Sequence, residues 1–174
     1  MEKKIIILLA HPEMEKSVAN RALMKELEPI KQVEVIDLYQ CPYRPFDKAF
    51  YATKLSEASA LVFQFPLYWA SAPSELKRWI DEVFTDIIEQ PVVMGKPLLV
   101  ITTAGSDAST YRTGGRNHYT IDEMLRPFEA ITFYSGMVWH TPIAIFGLSG
   151  PDAYKNLQQG IKEYHSWIVN HLNS

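Results

Sequence analysis

Cysteine is nearly absent from this chain of 174 residues, which contains only Cys41. One thiol cannot form an intrachain disulfide, and the sequence has no cysteine and histidine cluster with the spacing of a structural zinc site. We therefore expect neither a disulfide framework nor a metal centre. A reducing compartment, the cytoplasm, is the expected location.

Clustered positive charge and long hydrophobic runs are also missing. Lysine and arginine number 17 against 20 acidic residues, giving a net charge of -3, and they form no basic stripe for a nucleic acid backbone. The first apolar run, residues 5–10, stops at His11 and Pro12, which is too short for a signal peptide or a membrane span. We expect neither a nucleic-acid-binding protein nor an integral membrane protein.

The glycine signatures of common nucleotide sites are absent as well. The loop at residues 10–20, which follows the first apolar run, contains no glycine. This excludes both the G-x-G-x-x-G dinucleotide fingerprint and the G-x-x-x-x-G-K-[ST] phosphate loop. A conventional NAD-binding domain and a P-loop NTPase are thereby excluded.

What the sequence does contain is an alternation of apolar strands and amphipathic helices. Short runs rich in β-branched residues predict buried parallel strands, at residues 4–9, 60–65, 97–103 and 138–146, with a weaker strand at 33–37. Alternation with helices predicts one α/β domain over residues 1–174. Five strands favour the flavodoxin-like doubly wound parallel sheet, order 2-1-3-4-5, with helices on both faces.

Helix boundaries are marked by capping residues. Ser17 is a predicted N-cap for a first helix that buries one apolar face, consisting of Val18, Ala22, Leu23, Leu27 and Ile30. Another helix begins around Pro73, Thr120 and Glu123 form a capping box, and the last helix opens at Pro151. Residues 39–54 are predicted to be irregular, and their aromatics, Phe46, Phe50 and Tyr51, cover either a partner subunit or their own core.

Ligands of an open parallel sheet bind at the carboxyl ends of the strands, so the three unusual loops there are candidate sites. In the first, Ser17, Asn20 and His11 surround a helix N-terminus that favours phosphate, although Ser17 could be only a cap and His11 only structural. In the second, Tyr68 and Trp69 follow a strand, where they suit either a flat cofactor or packing under the next helix.

The third candidate loop begins with Thr102, Thr103, Ala104 and Gly105 and continues as a long polar segment. Its glycines allow backbone N–H groups to approach a ligand closely. Polar side chains in this segment could polarise a carbonyl group or hold an anion, or could simply be solvated; they are Tyr111, Arg112, Asn117 and His118.

Four segments together resemble the flavodoxin-like NAD(P)H quinone reductase family: AHPEMEKSVANRAL, QFPLYWASAPSELKRWIDEVF, ITTAG and TGGRNHYTIDEMLRPFEAITFYSGM. The resemblance covers almost the whole chain, and its most specific part is the P-L-Y-W turn with the helix that follows. The bacterial branch of this family includes general stress proteins, modulators of drug activity and ancillary subunits of glutathione-gated potassium-efflux systems.

The resemblance implies roles for individual residues. Positions that hold the flavin phosphate are matched by His11, Ser17, Ala19, Asn20 and Ala22, and the turn along the isoalloxazine is matched by Pro66, Leu67, Tyr68 and Trp69. The T-T-G-G stretch that hydrogen-bonds the ring is matched by Thr102, Thr103, Ala104 and Gly105. Here Ala104 replaces a glycine, which requires a negative φ at that residue. Tyr111 matches a tyrosine that steadies charge on the reduced flavin, and Asn117 or His118 stands in for the family's catalytic histidine.

The resemblance also implies an activity: hydride transfer from NAD(P)H through FMN, or alternatively FAD, to a quinone by a ping-pong mechanism. It implies a homodimer, with Trp139, His140 and residues 39–51 as candidate contacts. A second hypothesis is a regulatory subunit of a potassium-efflux transporter that retains the flavin site. A one-electron flavodoxin carrier is the third, disfavoured because the chain is only weakly acidic and its first loop differs from that of such carriers.

Overall fold

The computed structural model describes residues 2–41, 45–88 and 90–174. The elements in chain order are β1 (Ile5–Leu9), α1 (Val18–Leu27), β2 (Val33–Asp37), α2 (Lys48–Glu57), β3 (Ala60–Pro66), α3 (Ser74–Trp79), α4 (Thr85–Ile87), β4 (Pro97–Thr103), α5 (Ile121–Tyr134), β5 (Val138–Trp139), β6 (Ile143–Ile145) and α6 (Ala153–Asn173). A π-helical segment (Ile80–Phe84) joins α3 to α4, and short 3-10 turns lie at Met14–Lys16 and Ala108–Thr110. None of the described helices is long and apolar enough to cross a membrane.

The strands form one parallel sheet in the order β2-β1-β3-β4-β5, with β6 also paired to β4. The predicted order 2-1-3-4-5 is confirmed. The predicted strand at residues 138–146 is wrong as a continuous element, because β5 and β6 flank an interruption at residues 140–142. The His140 amide still donates to Leu98 O (3.0 Å), but Pro142 has no amide hydrogen with which to continue the ladder.

Two other sequence predictions require correction. Val18 does not belong to the buried face of α1, since it is 72% exposed. It lies five residues before the buried Leu23, which at about 3.6 residues per turn places it roughly 140° away around the helix. Residues 39–54 are not wholly irregular, because the Asp47 side chain accepts a hydrogen bond from Phe50 N–H (3.0 Å) and caps α2. Residues 42–44 of that segment lie outside the described part of the chain.

Each face of the sheet has its own apolar cluster. Phe63, Phe65 and Trp79 belong to the cluster under α2, α3 and α5. Phe46 and Tyr51 are buried in the same cluster, so these two aromatics cover their own core, whereas Phe50 is 42% exposed. The second cluster, under α1 and α6, includes Leu23, Leu27 and Ile168. The fold is thus closed on both faces, and the loops at the carboxyl edge of the sheet remain available for a ligand.

Candidate flavin site

Backbone hydrogen bonds hold the candidate loops together at the carboxyl edge of the sheet. Ala10 N–H donates to Gln64 O (2.9 Å), which fixes the exit of β1 against β3. Leu67 N–H donates to Thr103 O (2.9 Å), and Ala104 N–H donates to Ile145 O (2.8 Å). The sequence-predicted loops after β1, β3 and β4 therefore start from one shared edge.

The first loop presents the N-terminus of α1 at this edge. Ser17 is the N-cap, as predicted, and its Oγ accepts from Asn20 N–H (3.1 Å). The N–H groups of Val18 and Ala19, in the first turn, have no intrahelical acceptor, so they and the helix dipole favour an anion. Ala22 lies in the second turn, where it packs half-buried against the α1/α6 cluster rather than offering a free amide.

His11 has both a structural contact and a free donor. Its ring is buried, and Nδ1 accepts from Glu13 N–H (3.1 Å), so the proton of the neutral ring resides on Nε2. Burial lowers the pKa of His11, although the carboxylates of Asp37, Glu13 and Glu15 oppose that shift. His11 therefore offers a neutral Nε2–H donor to a ligand.

The second loop is a tight turn made without glycine. Tyr68 and Ser71 pair by two backbone hydrogen bonds of 2.8 and 3.0 Å, and the central residues Trp69 and Ala70 have φ of 47° and 61°. Such conformations cost of order 1–3 kcal/mol each for side chains other than glycine, and they cluster at functional sites. Trp69 is fully exposed and Tyr68 is 42% exposed, so the alternative that both pack under the following helix is wrong.

The third loop brings two threonines and a small-residue turn to the same edge. Thr102, Thr103 and Ala104 are buried, and Gly105 is exposed. Ala104 is not among the residues with positive φ, as its replacement of a glycine requires. A side chain at Gly105 would bring a Cβ to 2.7 Å from Ser149 Oγ, so this position accommodates only glycine unless Ser149 moves.

The long polar loop after Gly105 is folded on itself. Tyr111 packs against Phe146 with ring centroids 5.1 Å apart. Asn117 Nδ2 donates to Thr110 Oγ1 (3.1 Å), and this contact closes the loop. His118 is exposed with φ of 61°. Of the three catalytic candidates, Asn117 thus has an evident structural partner, and Tyr111 packs on the half-buried ring of Phe146.

A buried polar network that sequence reasoning missed lies below these loops. Gln64 Nε2 donates to Asn20 Oδ1 (3.3 Å), and Asn20 Nδ2 donates to Thr103 Oγ1 (3.2 Å). The available signal was a glutamine inside the otherwise apolar run ALVFQFP. Among the described residues, Gln64 Oε1 and Thr102 Oγ1 are buried without a hydrogen-bond partner, which costs about 1–3 kcal/mol per group unless a ligand or water satisfies it.

These residues fit a flavin mononucleotide. The helix N-terminus and the His11 Nε2–H suit its phosphate, the exposed aromatic turn suits its flat ring, and the Gly105 turn permits close approach of backbone donors. The unpartnered oxygen of Thr102 provides a further polar group at the same edge.

Comparison with known proteins agrees with this geometry. A family model described as a flavodoxin-like fold matches residues 3–168. The glutathione-regulated potassium-efflux system ancillary protein KefG of Serratia proteamaculans (strain 568) is 36% identical over 177 residues, which cover 97% of this chain and 94% of that protein.

Two solved structures are also similar. General stress protein 14 of Treponema denticola in complex with FMN is 27% identical with a TM-score of 0.88, covering 97% of this chain and 99% of that one. An NADPH-quinone reductase from P. pentosaceus is 26% identical with a TM-score of 0.82, covering 94% and 96% of the two chains.

Proposed function

The chain belongs to the flavodoxin-like family of NAD(P)H quinone reductases, and from that premise we propose that it is a flavoprotein oxidoreductase that passes a hydride from NAD(P)H to a quinone-like acceptor. The observation that carries the proposal is the meeting of three features at one sheet edge. These are the α1 N-terminus, the exposed Tyr68–Trp69 turn and the Thr102–Gly105 segment. The FMN complex of a similar structure supports FMN as the cofactor, with FAD as the alternative.

Bound FMN would supply the hydride chemistry, with NAD(P)H and the quinone occupying the site in turn, while the protein supplies position and electrostatics. The α1 N-terminus and the His11 Nε2–H would hold the phosphate, and Ser17 and Asn20 keep that helix end in shape. Tyr68 and Trp69 would cover the ring, and backbone donors near Gly105 would be available to its polar edge. Tyr111, with Asn117 or His118, would supply the hydrogen-bond donors that stabilise negative charge at the bound cofactor.

We also propose that the protein is a cytoplasmic homodimer. The sequence-derived contacts Trp139 and His140 are engaged within the chain, since Trp139 packs on the core and His140 Nδ1 accepts from Trp167 Nε1 (3.0 Å). The exposed side chains of Phe133 (64%) and Tyr134 (84%) offer a better apolar surface. Light scattering should give a molar mass of about twice the chain mass of 19.9 kDa. The Tyr134→Glu variant should instead have the mass of a single chain.

The decisive experiment is anaerobic spectroscopy of the protein reconstituted with FMN or FAD. NADPH or NADH should bleach the flavin absorbance, and a benzoquinone should restore it. Retention of flavin without reduction by either nucleotide would contradict the oxidoreductase activity. Failure to retain either flavin would contradict the whole proposal.

A second candidate function is suggested by the similarity to KefG: an ancillary subunit of a potassium-efflux transporter. Its test is co-purification from detergent extracts of membranes that contain a glutathione-regulated efflux transporter. Co-purification with the transporter together with slow quinone turnover would favour this function. Recovery of the protein without the transporter would exclude it.

A further inference from the structure

The geometry points to Gln64 as a positioning residue that fixes the direction of the Thr103 hydroxyl by acting through Asn20. The inference rests on the proposed flavin site, which Thr103 borders. Gln64 would be the innermost member of a relay that makes Thr103 a hydrogen-bond donor toward the flavin.

Burial of the Gln64 side-chain amide is energetically unfavourable unless it has such a role. Its side chain is 0% exposed, and it follows Ala60 and Val62 on the face of β3 that is otherwise packed with apolar residues. In the sheet its neighbours are Leu9 and Ile101. A buried amide is unfavourable unless it is hydrogen-bonded, so this position would be filled more favourably by another aliphatic side chain if packing were its only task.

The direction of each hydrogen bond in the relay follows from the backbone. The Asn20 carbonyl oxygen can only accept, and it lies 3.5 Å from Gln64 Nε2, so the nitrogen of that amide faces helix α1. The same nitrogen lies 3.3 Å from Asn20 Oδ1 and donates to it. With its oxygen thus engaged, the Asn20 side chain directs Nδ2 to Thr103 Oγ1 at 3.2 Å.

Thr103 therefore accepts from the buried side and keeps its own proton for another acceptor. It is the last residue of β4 and is 7% exposed, so its hydroxyl lies at the border of the core and the carboxyl edge. The hydrogen bond that Thr103 Oγ1 accepts from Asn20 strengthens the one that the same hydroxyl donates toward the carboxyl edge of the sheet. The relay also ties three elements of the site together, because Asn20 belongs to α1, Gln64 to β3 and Thr103 to β4.

The test is a double-mutant cycle of Gln64→Met and Thr103→Val, read out as the Kd of FMN from quenching of flavin fluorescence. Both changes nearly conserve volume and remove polarity. Each single variant should bind FMN about three- to tenfold more weakly, the range for one neutral hydrogen bond. If the effect of Gln64 passes through Thr103, the double variant should bind FMN no more weakly than the weaker-binding of the two single variants.

The control is Thr132→Val, which removes another buried hydroxyl, the one that donates to Phe128 O (2.7 Å) in α5, and it should leave the Kd unchanged. Urea unfolding of the flavin-free variants identifies those that remain folded, and Gln64→Leu replaces the methionine variant if it does not fold. Independent effects that multiply in the double variant, or unchanged FMN binding in Gln64→Met, would overturn the relay. Failure of the wild-type protein to bind FMN would instead overturn the proposed function.

Discussion

A single backbone amide determines how the His11 side chain can serve a ligand. The Glu13 N–H occupies Nδ1, and burial lowers the pKa of the ring, so at neutral pH the free nitrogen is a protonated Nε2 on an uncharged imidazole. A neutral donor binds phosphate with less desolvation cost than a buried cation would. The positive end of the α1 dipole then supplies the favourable charge.

Replacement of His11 by phenylalanine keeps a ring in the pocket and removes the donor. We expect FMN affinity to fall about tenfold or more, since hydrogen bonds to charged groups contribute about 1.5–3 kcal/mol. Riboflavin, which lacks the phosphate, should bind the variant and the wild type equally. Titrations followed by flavin fluorescence measure both ligands, with His165→Phe in α6 as the matched control. An equal loss for both flavins would show that His11 does not contact the phosphate.

The Tyr68–Ser71 turn combines exposed side chains with an unfavourable backbone conformation. Asparagine tolerates positive φ better than tryptophan, so Trp69→Asn should leave the free energy of unfolding unchanged or raise it by up to ~1 kcal/mol. FMN affinity should nevertheless fall several-fold, because an aromatic face is lost. Urea unfolding and FMN titration measure the two effects.

Ala70→Gly is the control for that change, since it relieves the backbone of the same turn and keeps the aromatic side chain. It should leave FMN affinity as it is. A Trp69→Asn protein that unfolds more easily would mean that the tryptophan packs on the protein rather than serving a ligand.

The contact of α6 with the sheet depends on Gly160. A Cβ at this position would lie 2.3 Å from Ile145 Cδ1, so the helix sits directly against β6. Gly160→Ala should destabilise the protein by about 1–3 kcal/mol despite the better helix propensity of alanine, because overpacking outweighs it. In an Ile145→Ala background, where the clashing side chain is gone, the same Gly160→Ala change should cost less, as measured by urea unfolding. A gain in stability from Gly160→Ala alone would refute this close packing.

How far the sequence predicts these elements depends on whether local signals and tertiary contacts agree. The period of the apolar residues and the caps at Ser17 and Thr120 were sufficient to predict β1, β3, β4 and the main helices. The interruption of the last strand was signalled only by Pro142, and α2 begins at a cap, Asp47, within an aromatic and proline-rich segment. The relay of Gln64 could not be predicted, because Gln64 and Asn20 are 44 residues apart in the sequence and Asn20 and Thr103 are 83 apart.

Histidines at both edges of the sheet resist protonation. His11 lies at the carboxyl edge. His171, near the end of α6, contacts the opposite edge, where its Nε2 meets Ser59 Oγ at 2.9 Å just before β3 begins. Its ring stacks on Trp167 with centroids 5.6 Å apart. Burial lowers the pKa of His171, and electrostatic interaction with Lys3 and His140 adds to that effect.

These shifts make the fold sensitive to mild acid. A histidine whose pKa is lower in the folded state than the unfolded value of about 6.5 stays neutral in the fold while the unfolded chain binds protons. The free energy of unfolding should therefore be constant from pH 8 to about 7 and fall as the pH drops below about 6.5. Urea unfolding across this range should show a shallower slope for His171→Gln than for the wild-type protein. Equal slopes in the wild type and His171→Gln would mean that the Ser59 contact tolerates a protonated ring, and that the acid sensitivity of the fold has another origin.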